Sequence, residues 1–542
     1  MRLCRPYITV GDRRVLHLHA VTRNKMKLLI LFGLTLLCGV ESLKVLVYYP
    51  LPVRSVSMLG NGVVRHLLDA GHEVTYVTVY PLKNMPPTLK QVDISGNEEM
   101  LAKDDSLSIS HMLENNVQDN DVLHIQEFAK ENTRQTFTNK NFTKFLQDTS
   151  QRFDLVFSDL FESEVCAGLS VVYDCPLVWF YSMGAHWNVL RLIDEGRNPA
   201  YDPDYLTTNV VPFSFLERVE QLWARIKYMA LKTFITLPDE KKMYEEIFTP
   251  LVAQRGRTLP NYEDVIYNAS IIFGNEHNAV KLRPSTPQNF KYIGGMHIPD
   301  PVTPLPKKLQ DLMDNAKHGV IYFSMGSFFK SKHLPKSLVR GLVKTFGELK
   351  ETVLWKFEED LPDLPSNLHI LQWAPQSSIL AHKNLKFFIT HGGLLSSIEA
   401  IHFGVPVIAI PVYFDQFTNV RKAVENGYAI RVPLSYDLPE TLRPAIKSML
   451  TDNTYKKRIT ELSTIYHDRL VPPGKEMVHW VEHVVRTRGA LHLRSPALNV
   501  PLYQRLFLDL LAVILIILYI IKRIINNLTR KTSKKTDKKK KN

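Results

Sequence analysis

One stretch constrains the fold of this 542-residue chain more than any other. Between Trp373 and Gln416, an apolar β-type run (Phe387–Thr390) stops at His391-Gly392-Gly393. A helix-like segment follows, then a second apolar run (Val405–Ile410), then Asp415-Gln416. Strand, glycine turn, helix and strand make a βαβ unit, which commits its strands to a parallel sheet covered by helices. Glycines at such a turn let backbone N–H groups approach an anion at the helix N-terminus.

The same alternation runs through most of the chain. Strands are expected at Lys44–Tyr48, Glu73–Thr78, Leu155–Ser158 and Leu177–Phe180, and again at Gly319–Ser324 and Thr352–Phe357. Helical segments such as Gly62–Ala70 lie between them, and Glu217–Thr258 reads as helical and charged. Pro299, Pro301, Pro304 and Pro306 mark a stiff connector. The reading is an α/β chain with two doubly wound halves, residues 43–300 and 301–477. Their ligand cleft would lie at the carboxyl ends of the strands.

Net charge is +13, which raises the question of nucleic acid. Residues 1–25 carry +5 and residues 530–542 carry +7, leaving +1 for everything between. A nearly neutral body argues against a groove for a phosphate backbone, so no nucleic-acid partner is expected. Cysteine spacing offers no metal site. Cys166 and Cys175 read as small buried residues, with a disulfide between them as the alternative.

Met26-Lys27 and the apolar run Leu28–Val40 have the form of a secretory signal spanning 26–42, with cleavage before Leu43. Residues 1–25 then read as an extension ahead of the true start. Residues 503–521 are expected to cross a membrane once, and the Lys-rich tail 522–542 to remain cytosolic. Lysines three and four from the C-terminus resemble an endoplasmic-reticulum retrieval signal. The expected location is therefore the endoplasmic-reticulum membrane, with the body in the lumen. Asn141 and Asn268 head glycosylation sequons in that body.

The Trp373–Gln416 block resembles the donor-sugar motif of the UDP-glycosyltransferases, in the animal UDP-glucuronosyltransferase-like branch. The resemblance to the family also takes in Phe323-Ser324-Met325-Gly326-Ser327, Val353-Leu354-Trp355-Lys356-Phe357, Gly489-Ala490-Leu491-His492-Leu493-Arg494 and, near the front, Ala70-Gly71-His72-Glu73-Val74-Thr75. Leu394-Leu395-Ser396 gives the block an insect-like flavour. The resemblance implies two Rossmann-like domains in the GT-B arrangement, with a helix near Val478–Arg488 returning to the first half (residues 478–502 with its connector). It implies inverting transfer of a hexose, glucose on the insect-like flavour, from a UDP-sugar co-substrate to small lipophilic acceptors. No cofactor is implied. Oligomers with itself or a related subunit are compatible with the pattern.

By the same resemblance, Trp373 stacks on uracil, the backbone at Ala374 pairs its edge, and Gln376 and Glu399 hold the ribose. His391, Gly392, Gly393, Ser396 and Ser327 surround the pyrophosphate. Asp415 and Gln416 bind the sugar, and Trp355 counts among the donor contacts. Many relatives carry Asn where this chain has Leu395. The family's catalytic pair is a His in the loop after the first strand, oriented by an Asp after the fourth. Asp159 fits the Asp, but Val56 falls at the His, and no His occurs from Leu43 to Arg65. A catalytically silent ligand-binding relative is therefore the alternative reading.

Overall fold

The computed structural model describes residues 42–102, 109–115, 122–194, 198–204, 207, 209, 211–277, 279 and 286–539. The expected extension, nearly all of the signal segment and the last lysines lie outside them.

Strands β1 (Lys44–Tyr49), β2 (Glu73–Thr78), β3 (Leu89–Asp93), β4 (Leu155–Asp159), β5 (Leu177–Tyr181), β6 (Ile271–Gly274) and β7 (Phe290–Tyr292) form one sheet. Its order is β3-β2-β1-β4-β5-β6-β7. A second sheet contains β8 (Val320–Ser324), β9 (Thr352–Lys356), β10 (Leu368–Leu371), β11 (Leu385–Thr390), β12 (Val407–Ala409) and β13 (Ala429–Arg431). Its order is β10-β9-β8-β11-β12-β13. Every pairing is parallel, for example Val45↔Leu155 and Ile389↔Phe323. β4, β5 and β8 are buried along their whole length, as expected of strands with helices on both faces. Each sheet reverses its order once, between β1 and β4 and between β8 and β11. Ligands bind outside such switch points in open α/β sheets.

The first helix corrects the sequence reading. The helix expected over Gly62–Ala70 starts earlier, and α1 runs Arg54–Asp69. Glycine in a helix interior costs about 1 kcal/mol relative to alanine, so Gly60 and Gly62 argue locally against a helix. Tertiary packing reverses that argument. A Cβ on Gly60 would sit 2.5 Å from the Tyr76 hydroxyl, and one on Gly62 would sit 2.9 Å from the Met296 sulfur.

Downstream come α2 (Val122–Thr138), α3 (Phe215–Leu231) and α4 (Leu237–Ala253). Ser214 and Glu217 close a reciprocal capping box at the start of α3. Around the second sheet lie α5 (Gln376–Leu380), α6 (Leu394–Phe403), α7 (Asp415–Glu425), α8 (Thr454–His467) and α9 (Pro473–Arg486). Helix α9 packs against the first half. His72 Nε2 is 3.4 Å from Glu482, and the Lys291 ammonium lies 4.2 Å above the Trp480 ring. Cys166 and Cys175 are both free thiols, so the disulfide alternative falls.

The expected membrane span at 503–521 is also corrected. A short helix, Leu502–Arg505, ends in a turn where Phe507 has φ +53°, and α10 (Leu508–Lys539) begins beyond it. Asp509 on one side and Lys522-Arg523 on the other confine the uninterrupted apolar stretch to the 12 residues Leu510–Ile521. Among the described residues, no helix is long and apolar enough to cross a membrane.

Candidate active site

The carboxyl ends of both sheets open into one cavity of about 550 Å³. Ser327, Trp373, Ala374, Gln376, His391, Gly393, Ser396, Glu399, Asp415 and Gln416 line it from the second half. Leu51, Val53, Ser55, Val56, Met58 and Leu59 line it from the end of β1 and the start of α1. Ile125, Phe128, Phe161 and Met183 add further apolar wall from the first half.

One side of the cavity begins with the turn after β11. Gly392 adopts φ +80°, a conformation that favours glycine, and its N–H donates to Thr390 Oγ1 at 3.4 Å. Gly393 then caps α6, and no side chain satisfies the helix's first N–H groups. Those groups are available to an anion. The His391 ring needs two glycines around it. A Cβ on Gly326 or on Gly393 would come within 2.5 Å of the imidazole. Burial, reinforced by the Lys356 charge, pulls the His391 pKa down to about 4, so the ring is neutral near pH 7. Neutral imidazole still offers one N–H to a phosphate oxygen.

A polar network shapes the next part of the wall. Gln376 Nε2 donates to Ser396 Oγ at 3.0 Å and also to the Glu399 carboxylate. Ser377 Oγ donates to the other Glu399 oxygen at 2.6 Å, and the Tyr322 hydroxyl donates to Gln376 Oε1 at 3.3 Å. Burial raises the Glu399 pKa, and the Ser377 and Gln376 bonds oppose that rise. The network fixes two hydrogen-bonding side chains where a ribose diol could lie. Trp373 is 62% exposed, which leaves an indole face free to stack on a flat base.

At the start of α7, burial lifts the Asp415 pKa to about 6, while Asn419 Nδ2 donates to its carboxylate at 2.7 Å. Gln416 Oε1 accepts from the backbone N–H groups of Val412 (2.9 Å) and Tyr413 (3.2 Å). Its carbonyl therefore holds the turn, and its amide nitrogen remains to donate. Phe414, between Tyr413 and Asp415, has φ +56°, an uncommon conformation for a residue other than glycine.

Three expected site residues stand elsewhere. Gly392 shapes the turn without facing the cavity. Trp355 is fully buried among Phe323, Phe346 and Phe357, so it is a core residue and not a donor contact. Successive strand residues point to opposite faces, and it is the next one, Lys356, that reaches the cavity. Asp159, at the end of β4, is only 4% exposed and does not line the cavity. Its Oδ1 has no hydrogen-bond partner, and burial raises its pKa to about 8. Val56, in the first turn of α1, does face the cavity. Sequence reasoning passed over Lys356, Ser377, Tyr322 and two histidines in the lining, His124 and His297. Only Lys356 carried a local signal, as a charged residue closing an apolar strand.

Two parallel Rossmann-like sheets whose carboxyl ends open into one cavity have the GT-B arrangement of glycosyltransferases. The family described as UDP-glucoronosyl and UDP-glucosyl transferase matches residues 45–542, and the chain belongs to it. The chain is 30% identical to UDP-glucosyltransferase 2 of Dactylopius coccus over 472 residues, 87% of this chain and 89% of that relative. It is 30% identical to UDP-glucuronosyltransferase 2B10 of Homo sapiens over 402 residues, 73% of this chain and 72% of that relative. The fold is similar to that of the calicheamicin glycosyltransferase, with TM-score 0.52 and 17% identity, covering 82% of this chain and 99% of that one. A Polygonum tinctorium UDP-glucosyltransferase aligns with TM-score 0.52 and 14% identity, again covering 82% and 99%.

His391→Ala is expected to weaken UDP-sugar binding by about 1.5–3 kcal/mol, the worth of a hydrogen bond to a charged group. Calorimetric titration with UDP-glucose checks this. An unchanged affinity places the pyrophosphate elsewhere.

Proposed function

We propose that the chain transfers glucose, with inversion, from UDP-glucose to small lipophilic acceptors. One observation carries the reading: the polar wall and the apolar wall belong to the same cavity, so a nucleotide sugar and a lipophilic molecule can meet in it. Trp373 would stack on uracil, Gln376 and Glu399 hold the ribose, and His391 with the N–H groups of α6 face the pyrophosphate. Asp415 and Gln416 would orient the sugar. Glucose is favoured over glucuronic acid by the insect-like sequence of the block and by the Dactylopius relative's name.

Val56 supports a second reading, a relative that binds donor or acceptor without efficient transfer. UDP release, measured with phenols, amines and alcohols, separates the two. Turnover with any of them supports the enzyme, whereas UDP-glucose binding without turnover supports the silent relative.

We also infer that the body works in the lumen of the endoplasmic reticulum. The signal-like run after Met26 and the terminal lysines support this, as does the exposure of Asn141 and Asn268. Asn141 Nδ2 is engaged with the Asp93 carbonyl at 2.8 Å, so Asn268 is the better glycan acceptor. Glycosidase treatment of protein from secretory membranes should shift its mobility, and an unshifted band counts against the lumenal site.

A further inference from the structure

The loop that follows β4 carries Phe161 into the apolar wall of the cavity. Its ring meets Phe128 of α2 edge to face, with centroids 6.1 Å apart and planes at 87°. Phe161–Ser163 belong to no helix or strand. Glu162 has φ +50°, an uncommon conformation for a residue that carries a side chain. Such a backbone persists only where its surroundings over-determine it.

Here those surroundings are polar and buried. Glu162 Oε1 accepts from Asn188 Nδ2 at 3.0 Å, and its Oε2 accepts from the Tyr228 hydroxyl at 2.9 Å. Two residues on, Glu164 Oε1 accepts from Arg191 Nη2 at 2.5 Å, and its Oε2 accepts from the Lys232 ammonium at 2.6 Å. Lys232 opens a π-helical turn between α3 and α4, and it also donates to both carboxylate oxygens of Glu240 at 3.0 and 2.8 Å. The Glu164, Lys232 and Glu240 side chains are 5%, 7% and 1% exposed. A buried ion pair gains little over apolar packing, because taking its charges out of water is costly. What it does impose is direction, since each carboxylate oxygen has to stay on its donor. Helix α3 is seated through the same groups, for only Gln221 and Tyr228 of its 17 residues are buried.

We propose that Glu162 and Glu164 are positioning residues: held by Tyr228, Arg191 and Lys232, they fix Phe161 in the cavity wall and make it select flat aromatic acceptors over saturated ones of the same outline. An aromatic edge or face held in place offers a flat ring a directional contact that an alicyclic ring cannot match. Fixing it beforehand spares the cost of ordering it on binding. The inference rests on the reading above that the apolar wall receives the acceptor.

The test is calorimetric titration of 1-naphthol, decahydro-1-naphthol and UDP into the full-length chain. Wild type is expected to bind 1-naphthol about 3- to 10-fold more tightly than its saturated counterpart, the usual worth of an aromatic pair. Phe161→Leu should remove most of that preference. Tyr228→Phe and Lys232→Met leave the wall's composition intact, yet they should lower the preference toward that of Phe161→Leu with UDP affinity unchanged. Adding Tyr228→Phe to Phe161→Leu should then change the preference little further, because both act through one ring. A wild type that binds neither naphthol overturns the acceptor reading itself. A preference lost in Phe161→Leu but kept in Tyr228→Phe and Lys232→Met overturns only the positioning role. A preference kept in Phe161→Leu, or affinities for all three ligands falling together in Tyr228→Phe, also overturns the proposal. Should Lys232→Met fail to fold, Tyr228→Phe, which keeps the ring and removes one hydroxyl, decides.

Discussion

Replacing Val56 with histidine is expected to raise transfer to simple alcohols by about 10²–10⁴-fold, the usual worth of a general base. Three observations support the placement of a base there. Val56 lines the cavity from the first turn of α1. Asp159 ends β4, which lies beside β1 in the sheet, so the two positions follow adjacent strands. The Asp159 carboxyl is buried with an oxygen that has no partner, as expected where an imidazole is missing. A histidine at 56 would take the acceptor's proton on one nitrogen and donate from the other to Asp159, whose carboxylate then stabilises the imidazolium. Asp159→Asn in the Val56→His background should therefore erase most of the gain.

Wild type should meanwhile favour acceptors that need little deprotonation. Amines should exceed alcohols, and phenol rates should rise as phenol pKa falls. Initial rates of UDP release across such a series are the measurement. Efficient alcohol transfer by wild type, unaltered in Val56→His, would show that another group is the base. His124 and His297, both in the lining, would be the residues to substitute next.

Asp159 also makes stability depend on pH. Its pKa is about 8 in the folded chain, against an ordinary value near 3.8, because burial penalises the ionised form. Between those values the folded state holds a proton that the unfolded state has lost. Stability is therefore fully present below about pH 4 and falls by about 1.4 kcal/mol per pH unit as pH rises toward 8. Asp159→Asn removes the titrating group at nearly constant volume. Denaturant midpoints from pH 5 to 8 should show the variant gaining on wild type steadily with pH. Parallel profiles would mean that Asp159 is already ionised, with a partner or a water restoring its ordinary pKa. Pairing Val56→His with these measurements links the two results. A histidine partner should lower the Asp159 pKa and flatten the same slope.

Much of the architecture was legible locally. The apolar runs of β1, β4, β8 and β11 announce themselves because a strand covered on both faces must be apolar on both. The turn at His391-Gly392-Gly393 was legible because a left-handed φ at Gly392 is a property of a single residue. The polar wall of the cavity was legible through the family resemblance, because Gln376, His391, Ser396, Glu399, Asp415 and Gln416 all fall in the one stretch Gln376–Gln416.

What escaped the sequence depends on contacts between distant residues. Gly60 and Gly62 look like helix breakers until Tyr76 and Met296 press against them. Trp355 and Lys356 are neighbours in sequence, and only the placement of the second sheet decides which one meets solvent and ligand. The stretch before Lys522 reads as a membrane span from residue 503, yet the turn at Leu506-Phe507 starts the helix only at Leu508, where Asp509 and Lys522-Arg523 bracket its apolar part. Asp159 shows the same division most plainly. Its place at the end of a strand is written in the sequence, but its burial and unpartnered oxygen exist only once β1, β4 and their surroundings have closed around it.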